Sequence, residues 1–158
     1  MILLLSAALA AELPPIEART LAGEPVSLPD SPPAPRTLIL MGLGREHQAA
    51  FEAWRPLVRE LAADPTVDWI ELPFVDVGAA LRLVIEPALE VELAEPLVQA
   101  HFAPVWGPPE PWMKALSITS KEHMQLLLLE DGEGRVLVQG APDEAKLETV
   151  REALGSGE

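Results

Sequence analysis

The chain has 158 residues and a formal charge of −14 from 11 basic and 25 acidic side chains, and it contains no cysteine. An apolar fraction of 49% over that length fits one domain with an ordinary core. The charge excludes a nucleic-acid binder, which needs Lys and Arg to displace counterions, and it disfavours anionic membranes. The missing thiols exclude disulfides, thiolate nucleophiles, CxxC redox chemistry and cysteine-ligated zinc or iron–sulfur sites.

Met1–Ala11, MILLLSAALAA, is an apolar run ending in the small-x-small pattern Ala8-Leu9-Ala10. It reads as a signal peptide over residues 1–10 with cleavage after Ala10, although its amino-terminal region carries no Lys or Arg. The run is too short to span a bilayer, which takes about 20 apolar residues. If it is retained, it is a buried strand or helix and the protein stays in the cytoplasm. With export, residues 11–158 form a single periplasmic or otherwise exported domain.

Ile16–Leu28 alternates around Ala22-Gly23-Glu24-Pro25, as two short strands joined by a turn do. Pro29–Pro35 is an extended loop. Thr37–Met41 is continuously apolar, the mark of a strand covered on both faces, and Gly42 and Gly44 end it. A helix follows from Glu46 to Ala63 with Phe51, Trp54, Leu57, Val58 and Leu61 on one stripe and Pro56 inside it. Val67–Leu72 is a second core strand, closed by Pro73.

Between Asp76 and Leu116 the periodicity is weak. Ala79–Ile85 and Ala94–Phe102 are expected as short helices stopped by Pro87 and Pro104. Trp106–Trp112, WGPPEPW, is expected as a loop, with a helical turn over Trp112–Leu116. Gln125–Leu129 and Arg135–Gln139 form a hairpin about a turn at Asp131–Gly134. Pro142 opens a last helix with Asp143 and Glu144 in its first turn, a buried stripe of Leu147, Val150 and Leu154, and Gly155 at its end.

This order resembles the thioredoxin superfamily, in particular its peroxiredoxin and periplasmic thiol-oxidoreductase branches. The residues that carry it are LAGEPVSL (Leu21–Leu28), LILMGLG (Leu38–Gly44), the helix with Pro56, and LLLLEDGEGRVLVQG (Leu126–Gly140). The last segment and its helix are also similar, more loosely, to the family that helps assemble mitochondrial ATP synthase. The resemblance implies an α/β three-layer sandwich, a mixed sheet of about four or five strands with helices on both faces, preceded by the strand-turn-strand and interrupted by a helical insertion.

Carried over by its spacing to Pro56, the family's CxxC pair falls on Gln48 and Phe51; a peroxiredoxin-style placement falls on Gly44–Gln48. The family's cis-proline falls on Met124 or Gln125. None of these positions carries the family's residue, so the resemblance implies a redox-inactive member that needs no cofactor. Its vacated site consists of Arg45, Glu46, His47, Gln48, His123, Met124 and Gln125.

Arg45 at the strand end could receive an anion or a partner carboxylate, or pair with Glu46 on the surface. The fold would bring His47 and His123 together, and with Glu46 or Glu122 they could hold zinc or copper; alternatively they are partly exposed loop residues. His101 reads as a packing or solvent-facing residue, and Glu86, Glu90, Glu92 and Glu95 as a solvated face. Trp54 and Trp69 fall on core positions, whereas Trp106 and Trp112 either serve partner binding or pin their loop to the core.

Three functions follow. The first is a non-catalytic module that binds a protein partner or assembles an envelope or respiratory complex. The second is an enzyme with a non-cysteine site, such as a His–metal site, and the third a purely structural subunit of an envelope complex.

Overall fold

The structure, a computed structural model, describes residues 9–155, so most of the run read as a leader lies outside them. In chain order the strands and helices begin with β1 (Ala11–Glu12), β2 (Ile16–Arg19), β3 (Pro25–Leu28), β4 (Arg36–Gly42), a 3-10 turn (Arg45–His47) and α1 (Gln48–Leu61). They continue with β5 (Val67–Pro73), α2 (Ala79–Glu92), α3 (Pro96–Gln99), α4 (Glu110–Ala115), β6 (Gln125–Glu130), β7 (Glu133–Gln139) and α5 (Glu144–Gly155). The main sheet has five strands in the order β1-β7-β6-β4-β5, and β2 and β3 form a separate antiparallel pair.

Strand β4 lies inside the sheet, parallel to β5 and antiparallel to β6. Side chains alternate across a strand, so a strand buried on both faces feeds two cores. Leu38 and Leu40 join Phe51, Trp54 and Val58 of α1 together with Leu126, Leu128 and Val150. Ile39 and Met41 point the other way, into a core with Ile70, Leu72, Leu127, Leu129, Trp112 and Leu28. This is the expected mixed α/β sandwich.

The hairpin β6–β7 turns through two residues only, Asp131 (φ 54°) and Gly132 (φ 78°). Positive φ at both matches the twist of the flanking strands, so Glu133 and Gly134 join β7 instead of the expected four-residue turn. Glycine at 134 leaves room for the neighbouring strand. A Cβ would stand 2.7 Å from Leu13 Cδ1, where β1 packs alongside.

The largest departures from expectation lie in the middle of the chain. Helix α2 does not stop before Pro87 but runs through it. Proline removes the bond to the carbonyl of Leu83, and Leu83 is solvent-exposed, so water can take that place. The expected helix over Ala94–Phe102 shrinks to the single turn α3, because the chain beyond it serves the sheet. Glu71 N–H donates to His101 O (2.7 Å), Ala103 N–H to Glu71 O (2.9 Å) and Val105 N–H to Pro73 O (2.9 Å), which covers the open edge of β5. The WGPPEPW segment is a loop only in its first half. Trp112 lies in α4, buried, donating to Pro14 O at 2.8 Å, so it pins this region to the core and is no exposed partner contact.

Helix α1 is preceded by the 3-10 turn instead of starting at Glu46, and Pro56 lies inside it as expected. Phe51, Trp54 and Val58 are buried, with Leu57 and Leu61 partly so. Helix α5 begins after Asp143, whose carboxylate accepts from Lys146 N–H at 2.8 Å, so Asp143 caps the helix and is not within its first turn.

One ion pair is buried between the layers. Glu71 on β5 is fully buried, and Arg55 of α1 donates to it from Nε and Nη2 at 2.8–3.1 Å. Burial pushes the Glu71 carboxyl above its ordinary value, against the pull of Arg55. Replacing Arg55 by Met strands this group and should cost about 3–5 kcal/mol, read from urea denaturation. The deficit should shrink as pH falls and Glu71 takes up its proton, and Arg55→Met combined with Glu71→Leu should recover most of the loss.

Candidate functional site

At the carboxyl end of β4 the chain turns at Gly42, Leu43 and Gly44 into the 3-10 turn and α1. A Cβ on Gly42 would lie 2.8 Å from the Phe51 ring, so glycine lets the helix sit against the strand end. His47 is buried in this turn, contrary to the expectation of an exposed loop residue. Its Nδ1 accepts from Leu43 N–H at 2.9 Å, which puts the proton on Nε2, where it donates to Glu122 O at 3.2 Å. His47 therefore ties the 3-10 turn to the loop before β6. That loop does approach, but through its backbone.

The two histidines do not form a joint site. Both His47 ring nitrogens are engaged, His123 is exposed with its ring near Gly140, and no group of three metal-ligating side chains forms among the described residues. Glu46 is exposed, with Oε1 3.8 Å from His47 Nε2. Arg45 is exposed and makes no ion pair among the described residues. Gln48 is half-buried at the start of α1, and Met124 is buried in the core beneath. Gln125 faces Met41 in the β4–β6 register; its amide donates to His123 O at 3.2 Å, while its buried Oε1 has no partner among the described residues.

A second polar site lies toward the other end of the strands, near Trp69, which pairs with Leu38. A cleft of about 420 Å³ is lined by Arg59, Asp68, Trp69, Leu97 and His101 with prolines of the neighbouring loops. The His101 ring stacks on Trp69 at 3.6 Å and 5°. Its Nδ1 faces Leu97 O at 2.7 Å and its Nε2 faces Asp68 Oδ1 at 3.1 Å. Two acceptors call for two protons, so this geometry suits the imidazolium. Burial opposes that charge, but the Asp68 carboxylate and the Leu97 carbonyl outweigh it and raise the His101 pKa. Burial likewise pushes Asp68 up, and His101 and the Trp69 N–H overcome it, so its pKa is lowered. This set escapes a reading of the sequence because Asp68 and His101 are 33 residues apart, and only the edge segment joins them.

Solved structures match this architecture along nearly its whole length. A member of the Sco family of cytochrome c oxidase assembly proteins superposes with a TM-score of 0.60 at 16% identity, covering 94% of this chain and 95% of that one. The chain has the thioredoxin-like fold. A DsbF homologue from Corynebacterium diphtheriae matches at 0.57 and 9% identity over 90% and 87% of the two chains. The pneumococcal exposed lipoprotein thioredoxin from Streptococcus pneumoniae matches at 0.51 and 14% over 90% and 99%. No family model matches the sequence, and neither does a curated protein. The looser likeness to the ATP synthase assembly family is not shown by these comparisons.

Within the thioredoxin-like fold, the positions assigned by spacing to the thiol pair are the half-buried Gln48 and the fully buried Phe51. Neither can form a thiolate, and Phe51 occupies core beneath Gly42. The residues at the assigned cis-proline position, Met124 and Gln125, are buried; among the described residues a cis X–Pro bond occurs at Leu28–Pro29.

His47→Leu should leave the Leu43 N–H unpaired at a cost of about 1–3 kcal/mol, with faster amide exchange at Leu43 as the specific readout. His101 gives a pH-dependent test. Its pKa is higher folded than unfolded, so its contribution is complete below about pH 6.5, the unfolded imidazole value, and is lost as pH rises through the raised value. The stability difference between the parent and His101→Gln should therefore shrink with rising pH in denaturation curves. In acid it should fall again only as Asp68 is protonated, below its ordinary range.

Proposed function

We propose that this chain is a non-catalytic thioredoxin-like module that holds a protein partner, in the assembly of an envelope or respiratory complex. The observation that carries the reading is the thiol position: strand, glycines and helix remain, while Gln48 and Phe51 stand where the chemistry would be. What remains exposed there is one cation, Arg45, with Glu46 and His123 nearby, a set suited to hydrogen bonding and charge pairing and not to electron transfer. The likeness to a cytochrome c oxidase assembly protein supports an assembly role.

Nucleic acid is disfavoured as partner by the charge of −14. We assign the protein to the exported compartment on its apolar amino-terminal run, and no helix among the described residues is long and apolar enough to cross a membrane.

Photocrosslinking residues incorporated singly at Arg45 and His123 test the reading in cells. Both positions should yield an adduct of discrete mass, and a control at Glu148, exposed on α5, should not. The absence of any adduct at Arg45 and His123, or the same adducts from Glu148, would remove it.

A further inference from the structure

Helix α2 is built inside out. It has no buried residue, and Leu81, Leu83, Val84 and Val91 are 55%, 76%, 68% and 80% exposed. Successive helical residues turn by about 100°. Leu83, Val84, Pro87, Ala88 and Val91 therefore share the outer side, with Leu81 at its margin. Ile85 and Leu89 lie on the inner side, where Leu89 and the following Leu93 pack against the core beneath α1. The helix thus presents its apolar stripe to solvent, the reverse of an ordinary surface helix. Ala80, Val84, Pro87 and Val91 recur at spacings of four, three and four, the seam period of paired helices.

The charges around the stripe indicate its occupant. On the same helical geometry Glu90 borders it beside Leu83, and Glu92 borders it beside Leu81. Both are exposed and form no ion pair among the described residues. The one basic side chain of the helix, Arg82, is on the inner side, engaged with Glu86 at 3.4 Å and lying 5.0 Å above the Trp106 ring. From Leu83 to Met113 the sequence holds no Lys or Arg. The stripe is therefore apolar with negative borders.

We propose that α2 is a docking surface for a partner helix whose apolar stripe is bordered by Lys or Arg. The inference rests on the partner-binding reading above and adds the chemistry of the partner. A second copy of this chain fits poorly, since it would bring the same acidic borders and another −14 of charge. A membrane surface fits poorly too, because helices that lie on membranes carry Lys and Arg beside their apolar face and anionic headgroups repel carboxylates.

Two labelled helical peptides test the assignment by fluorescence anisotropy with the full chain. They share one leucine stripe and differ only in carrying Lys and Arg, or Glu, beside it. The basic peptide should bind at least about tenfold more tightly, with the difference reduced by salt. Leu83→Ser with Val84→Ser should lose that binding, and Glu90→Lys with Glu92→Lys should reverse the preference. All four positions are exposed, so unchanged denaturation midpoints should show that the fold survives.

Equal binding of the two peptides, or a serine variant that binds like the parent, overturns the proposal. So does dimerisation in sedimentation that the serine variant abolishes, or parent-specific binding to vesicles of phosphatidylcholine and phosphatidylglycerol. Peptide binding that appears only after residues 1–10 are removed would make the amino-terminal run the occupant, and also overturns it. If the peptides fail while adducts at Arg45 and His123 persist, α2 alone is wrong. If the basic peptide binds while those adducts are absent, the reading of the strand end is wrong and α2 stands.

Discussion

Strand β4 has no face for water. Every side chain from Thr37 to Met41 is buried, and both neighbours in the sheet are strands that are buried in turn. A strand of that kind is stable only between two covering layers, since each face left open would expose a row of large aliphatic side chains. Helix α1 with α5 supplies one cover. The other comes from the amino-terminal hairpin, α4 and the edge segment, pinned by Trp112. The position of the turn after Gly42, and hence of the residues at that strand end, follows from how α1 seats on that strand. Phe51 against Gly42 is the contact that sets it.

Two of the polar centres in this frame do different work. Arg55 and Glu71 join α1 to β5 at the cost of desolvating both charges, and their geometry specifies how the layers dock more than it adds stability. His47 joins the 3-10 turn to the loop before β6 with two neutral hydrogen bonds. The turn after β4 is thereby held as a structural knot. Its neighbours Arg45, Glu46 and His123 are exposed.

Much of this was legible in the residues. The apolar run of β4, the stripe of α1, the Asp-Gly turn and the order of elements led to the correct fold because their periodicity depends on local geometry and on burial. The spacing to Pro56 points to Gln48 and Phe51 as the places a thiol pair would take, and both lie in α1. The middle of the chain resisted because its apolar residues do not follow a single buried face. Pro87 reads as a stop, yet an exposed helix can lose one hydrogen bond to water and continue. Trp112 reads as a loop aromatic, yet the carbonyl that accepts its N–H belongs to Pro14, 98 residues away.

The sequence by itself determined the layered α/β architecture, the absence of thiol chemistry and the acidic surface, since these depend on periodicity, on residue type and on charge. Only the tertiary structure decided that His47 is a buried tether, that His101 stacks on Trp69 beside the Asp68 carboxylate, and that the apolar side of α2 faces outward. Each of those depends on which distant segment lies across a side chain, and no local pattern contains that information.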